Sequence, residues 1–191
     1  MNLNLVIVGV GGQGTLLASR LLGALAQEIG LNVKVSEVHG MSQRGGSVIT
    51  YVRMGEQVLS PIVDEGGADY VIAFEQLEAL RALPYLKQGG TLITNTGCIS
   101  PMPVIIGAAE YPGGIIEKLS DQCNLIALDA SMLAQEAGES RAVNLVLMGV
   151  LANELKLDEQ IWINAIHQCV PERFISSNLK AFEAGVKYRL G

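Results

Sequence analysis

Three glycines, Gly9, Gly11 and Gly14, close the stretch NLVIVGVGGQG (residues 4–14) and are the residues best spaced for chemistry. The apolar run 5–8 ahead of them does not alternate, which predicts a strand buried on both faces of a parallel sheet, and residues 15–29 behind them carry helical spacing. A glycine turn between strand and helix leaves backbone N–H groups bare at a helix start, a cradle for a phosphate or a carboxylate. Gly9-x-Gly11-x-x-Gly14 also has the spacing of a dinucleotide fingerprint, and Glu37 ends the second predicted strand, where a ribose-binding acid belongs. The same glycines serve equally well in a tight turn that binds nothing. Gly12 and Gln13 complete the turn, and Gln13 could bond a ligand or a neighbouring loop.

A second cluster follows the second strand almost at once: Met41, Ser42, Gln43, Arg44, Gly45 and Gly46, preceded by His39 and Gly40. It falls at the carboxyl edge of the sheet beside the glycine turn, the edge where open α/β sheets take ligands. Ser42, Gln43 and Arg44 offer donors. Gly45 and Gly46 allow close backbone approach, and Arg44 could pair bidentately with a phosphate or carboxylate, or form an ion pair with Glu37 or Glu75. His39 is a lone loop histidine, an acid–base candidate or a packing residue.

Other catalytic signatures are missing from the sequence: it has no GxSxG elbow, no GxxxxGK[ST] loop and no HExxH. Acidic residues form no paired-carboxylate motif; Asp64 and Glu65 are adjacent and diverge. Cys98, Cys123 and Cys169 are far apart without a CxxC, so they read as reduced thiols of a cytoplasmic protein and fall short of the four thiolates of an iron–sulfur cluster. His39 and His167 are the only histidines, which excludes a multi-histidine metal site.

The elements that must hold these residues are those of an α/β protein. Its 191 residues are 49% hydrophobic and 17% charged, with mean hydropathy +0.34. That apolarity fits a doubly covered sheet or surface covered by another subunit. A net charge of −6 and 5% aromatics argue against a nucleic-acid surface. The uncharged N-terminal nineteen residues lack a basic leader and are interrupted by glycines and Gln13, so they read as strand and turn rather than a signal peptide, and no run is long enough to span a membrane.

In chain order, the opening strand, the helix and a strand at 33–37 predict a βαβ unit with parallel pairing. Residues 47–53 and 58–63 predict a hairpin whose second strand, carrying Pro61, lies at an edge. Residues 69–74 predict a buried strand, 75–86 a helix disturbed at Pro84, and 91–95 a further strand ending at Asn95. Residues 96–114 read as loop with a short strand at 104–106, and 125–128 as the last strand. The rest reads as helix, including the nearly all-apolar 142–153, which must be buried by the fold or by a partner. The expected fold is therefore a Rossmann-like, mostly parallel sheet with an inserted β-hairpin and a helical C-terminal third, one domain over residues 1–191.

GVGGQG followed some thirty residues later by HGMSQRGG and an alternating strand resembles the gamma subunit of 2-oxoacid:ferredoxin oxidoreductases, and the wording HGMSQRGG most resembles the indolepyruvate type. Asn95 after the late strand and the Asn144-x-x-x-Leu-Met-Gly149 helix agree with it. The resemblance implies a small subunit of an enzyme that oxidatively decarboxylates an aryl 2-oxoacid, transfers the acyl group to coenzyme A and passes electrons to ferredoxin. It places thiamine diphosphate and the iron–sulfur clusters on a large partner subunit, so this chain would be inactive alone and free to pair with itself in isolation. Gly9, Gly11, Gly12, Gln13 and Gly14 become candidate contacts for coenzyme A. Met41, Ser42, Gln43, Arg44, Gly45, Gly46 and Asn95 become candidates for the edge facing the partner's active site. The alternatives are an NAD(P)- or flavin-binding Rossmann oxidoreductase, resting on Gly9, Gly11, Gly14 and Glu37, and a scaffold subunit without a ligand.

Overall fold

The computed structural model describes residues 1–40 and 46–188. Met41, Ser42, Gln43, Arg44 and Gly45 lie outside the described residues.

Six strands form one sheet: β1 (Leu3–Val10), β2 (Asn32–His39), β3 (Ser47–Gly55), β4 (Ala68–Ala73), β5 (Leu86–Asn95) and β6 (Asn124–Leu128), in the order β2-β3-β1-β4-β5-β6. β1, β4, β5 and β6 pair in parallel, whereas β3 is antiparallel to both of its neighbours, β1 and β2. β1 shows why its apolar run does not alternate. Leu5 and Ile7 point into one core, Val6 and Val8 into the other, and all four are buried.

The inserted hairpin exists, but its partner differs from the sequence expectation. β2 pairs with β3, from Asn32 opposite Gly55 to His39 opposite Val48, so β1 and β2 run the same way without touching. Residues 58–63 form no strand. Pro61 has no N–H to give a ladder, and the Arg53 guanidinium takes the carbonyls of Ser60 and Ile62 at 3.4 and 3.2 Å. β3 has both edges occupied already.

Helix α1 (Thr15–Glu28) follows the glycine turn; α2 (Gln76–Ala82) follows β4. α2 stops early because Pro84 sits in a short 3-10 turn, Leu83–Tyr85, from which β5 begins. The short strand expected at 104–106 is instead helix α3 (Met102–Ile105), where Pro103 falls in the first turn, a position that tolerates a missing N–H. α4 (Ile115–Ser120) precedes β6, and α5 (Ala130–Glu136), α6 (Val143–Leu155), α7 (Glu159–Cys169) and α8 (Glu172–Lys187) make the helical end.

α6 is buried by the fold itself: Asn144 to Ala152 are all buried, mainly against α8. The two helices meet backbone to backbone at Gly149 and Gly185. A Cβ on Gly149 would stand 2.1 Å from the Phe182 carbonyl oxygen. Trp162 of α7 packs on Phe182 at 5.8 Å between ring centroids, closing the core on this side.

Candidate functional site

The glycine turn is built by Gln13. The Gln13 N–H donates to the Val10 carbonyl at 3.1 Å, and the Gln13 Oε1 accepts from the Val10 N–H at 2.7 Å, so the turn is clasped twice across the same residues. Nε2 then donates to the Phe74 carbonyl at the end of β4, 3.2 Å away. Of the two partners open to Gln13 from sequence, the neighbouring backbone has it. Gly9 makes room for this clasp, since a Cβ there would lie 2.9 Å from the Gln13 Oε1. Gly14 adopts φ +90° and has Asn144 against it: a Cβ would meet Nδ2 at 2.6 Å, and Nδ2 donates to the Gly14 carbonyl at 3.3 Å. Gly12 is different. Its φ is +100° with nothing within 4 Å, so its backbone faces open space.

Asn95 lies on the same edge, at the end of β5, with its side chain turned inward. Buried to 3% exposure, it donates from Nδ2 to the Phe74 carbonyl and the Ser131 Oγ, each at 3.2 Å, and accepts from the Ala130 N–H at 3.0 Å. The Phe74 carbonyl thus joins Gln13 and Asn95, and the ends of β1, β4 and β5 and the start of α5 are tied into one frame.

The two glycine motifs meet directly. The Gly11 N–H donates to the Gly46 carbonyl at 2.9 Å, and Val10 stands opposite Ser47 in the β1–β3 ladder. Because β3 runs antiparallel, its first residues share an edge with the last residues of β1 and β2. The expected juxtaposition therefore holds at Gly46.

A cleft of about 390 Å³ opens at this junction, lined by Gly11, Gly12, Gly14, Thr15, Leu16, Glu37, His39 and Val48. α1 enters it N-terminus first, with no side-chain cap and no acid in its first turn. The N–H groups of Gly12, Gly14, Thr15 and Leu16 have no partner among the described residues, so the cleft end is electropositive and presents donors. Glu37 is the opposing feature. It accepts from the Thr50 Oγ1 at 3.3 Å and lies 4.0 Å from the His39 Nδ1. A carboxylate there suits a hydroxyl donor better than a phosphate. Although Glu37 shares the cleft, β3 stands between β2 and β1, placing it two strand spacings, about 9.6 Å, from the strand that a dinucleotide fold pairs with directly. The adjacency on which the nicotinamide or flavin reading rests is absent.

Two carboxylates not singled out as a pair in the sequence are the most buried acids at this edge. Glu75, 1% exposed, caps α2 by accepting from the Glu78 N–H at 3.0 Å and also takes the Ile99 N–H at 3.2 Å and the Tyr111 hydroxyl. Burial, and then the bond to Glu75, pushes the Tyr111 phenol far above its ordinary value. Glu78, 4% exposed, accepts from the Ser47 Oγ at 2.5 Å and from Arg81 at 2.6 Å. Their spacing, an acid at the cap and another three residues on, was the available signal.

Sheet order and edge define a Rossmann-like domain with one antiparallel strand set beside β1, and solved structures share it. The gamma subunit of a keto/oxoacid ferredoxin oxidoreductase from Geobacter sulfurreducens superposes with TM-score 0.72 at 22% identity, over 96% of this chain and 95% of that one. A 2-oxoglutarate:ferredoxin oxidoreductase from Magnetococcus marinus, with 2-oxoglutarate, coenzyme A and succinyl-CoA bound, has TM-score 0.72 at 20% identity over 97% of this chain but 30% of that one. Residues 4–188 match the pyruvate ferredoxin/flavodoxin oxidoreductase family, and the chain belongs to it. It is 46% identical over 190 residues to the indolepyruvate oxidoreductase subunit IorB of Thermococcus kodakarensis, covering 96% of this chain and 94% of that relative. No helix among the described residues is long and apolar enough to cross a membrane.

Proposed function

We propose that the chain, residues 1–191 taken as one gamma-type domain, is the small subunit of an indolepyruvate-type 2-oxoacid:ferredoxin oxidoreductase. The assembled enzyme converts an aryl 2-oxoacid to its acyl-CoA and carbon dioxide, with two electrons leaving to ferredoxin. Thiamine diphosphate and the iron–sulfur clusters belong to a large partner subunit in the same cytoplasmic complex. Cys98 follows β5, Cys123 precedes β6 and Cys169 ends α7, the first exposed and the other two half-buried, and they do not form a cluster's donor set.

The observation that carries the reading for this chain's own residues is the cleft at the glycine turn. Its bare N–H groups at the start of α1 fit a coenzyme A phosphate, which when bound would present the acceptor thiol to the partner's active site. Gly11, Gly12 and Gly14 supply the backbone. Gly9, Gln13 and Asn95 position it from behind. At about 390 Å³ the cleft is near the small end of ligand sites, ~300–1,000 Å³. It accommodates the phosphate end, while the remainder runs over the Gly46 edge toward the partner. Met41, Ser42, Gln43, Arg44 and Gly45 are assigned to that partner edge.

Co-expression with the large thiamine-binding subunit tests this. Dye reduction dependent on both indolepyruvate and coenzyme A is expected from the pair and from neither chain alone. Full activity from this chain by itself, or none from the pair, would overturn the proposal.

A further inference from the structure

Glu78 turns one carboxylate oxygen out to β3 and keeps the other on Arg81 of its own helix. It is the third residue of α2, where the glutamate of a capping box folds back onto the N-cap N–H. Glu75 makes its half of such a box, but Glu78 reaches to β3 instead, with Oε2 accepting from the Ser47 Oγ and Oε1 from Arg81. A buried carboxylate is costly unless its oxygens are partnered, and both of these are. Its location is therefore fixed on the α2 face of the sheet.

Ser47 is the residue after Gly46, whose carbonyl holds the Gly11 N–H at 2.9 Å. Side chains alternate along β3: Ser47 faces α2, while Val48 lines the cleft on the α1 face. An unbroken path thus crosses the sheet at its edge, from the Glu78 carboxylate through Ser47 and Gly46 to Gly11. We propose that Glu78 is a positioning residue for the glycine-turn cleft. By holding Ser47 it fixes the carbonyl that anchors Gly11, and so sets the spacing of the bare N–H groups that receive the phosphate. The role rests on the reading of that cleft as the coenzyme A site.

Steady-state kinetics of the assembled two-subunit enzyme, with coenzyme A and 2-oxoacid varied in turn, test it. Glu78→Gln and Ser47→Ala should each raise KM for coenzyme A about tenfold, the equivalent of one charge-assisted hydrogen bond, with kcat and the 2-oxoacid KM within about twofold of wild type. The double variant should be no worse than either single, because both cut the same link. Ser47→Thr, which keeps the hydroxyl, should restore the wild-type value. If Glu78→Gln does not assemble, Ser47→Ala and its threonine rescue carry the test.

Leu16→Trp, which fills the cleft from an exposed position on α1, separates the two ways of failing. If it raises the coenzyme A KM while Ser47→Ala leaves it unchanged, the cleft reading stands and the positioning role is wrong. If Leu16→Trp also leaves it unchanged, the ligand binds elsewhere and both fall.

Discussion

The two faces of the sheet are covered to different depths. On one, α1 and α5–α8 bury Leu145, Trp162 and Phe182 completely or nearly so, and α6 and α8 approach to backbone contact. On the other, α2, α4 and the proline-rich 96–114 segment cover the sheet but leave Met102, Ile105 and Ile106 64–68% exposed. High hydropathy thus has two destinations. The most apolar stretch, in α6, needs no partner, while part of the apolar surface left over, at Met102, Ile105 and Ile106, flanks the site edge on the opposite face.

The comparison is broken most severely at the α6–α8 crossing. Gly149→Ala puts a methyl 2.1 Å from the Phe182 oxygen, and thermal or denaturant unfolding should show a loss of about 3 kcal/mol or more. Asn95→Ala comes next. It leaves the Ala130 N–H unpaired in a buried position and unties β5 from Phe74, for a loss of about 2 kcal/mol in the same measurement. Met102→Ser combined with Ile105→Ser should change the isolated chain by no more than about 0.5 kcal/mol, yet weaken co-purification with the large subunit. An unfolding loss as large as that of Asn95→Ala would show that the thin face is core after all.

The smallest effect is chemical. Burial raises the thiol pKa of both Cys123 and Cys169, with Arg20 partly offsetting this at Cys169. A raised pKa means less thiolate near pH 8, so exposed Cys98 should alkylate first, and the gap should narrow as pH rises. Mass spectrometry after timed labelling reads the order.

Much of this was legible from local pattern. The strand–turn–helix at Gly9–Gly14, the carboxyl-edge location of Gly46 and the buried 142–153 helix follow from periodicity and glycine spacing. What the pattern missed was pairing at a distance. Residues 58–63 have β-forming side chains, but strand status depends on a free ladder edge, and β2 and β1 already occupy β3. Gln13 was visible as a polar residue in the turn. That its amide closes on Val10 and Phe74 depends on β4 lying next to β1, which no local signal encodes. Glu78 was hidden for the same reason: its partner Ser47 comes from a strand arriving from the opposite direction.

The insertion of β3 also bears on the order in which the molecule assembles. β2 and β3 are joined by a short connection, so their ladder closes a small loop, whereas β3 reaches β1 only after α1 and β2 are bridged as well. The hairpin can form locally and dock as a unit, and the Gly11–Gly46 bond is made only on docking. The glycine turn, first in the chain, is then among the last parts to be completed. Pulse-labelled hydrogen exchange should find β2–β3 amides protected before that of Gly11.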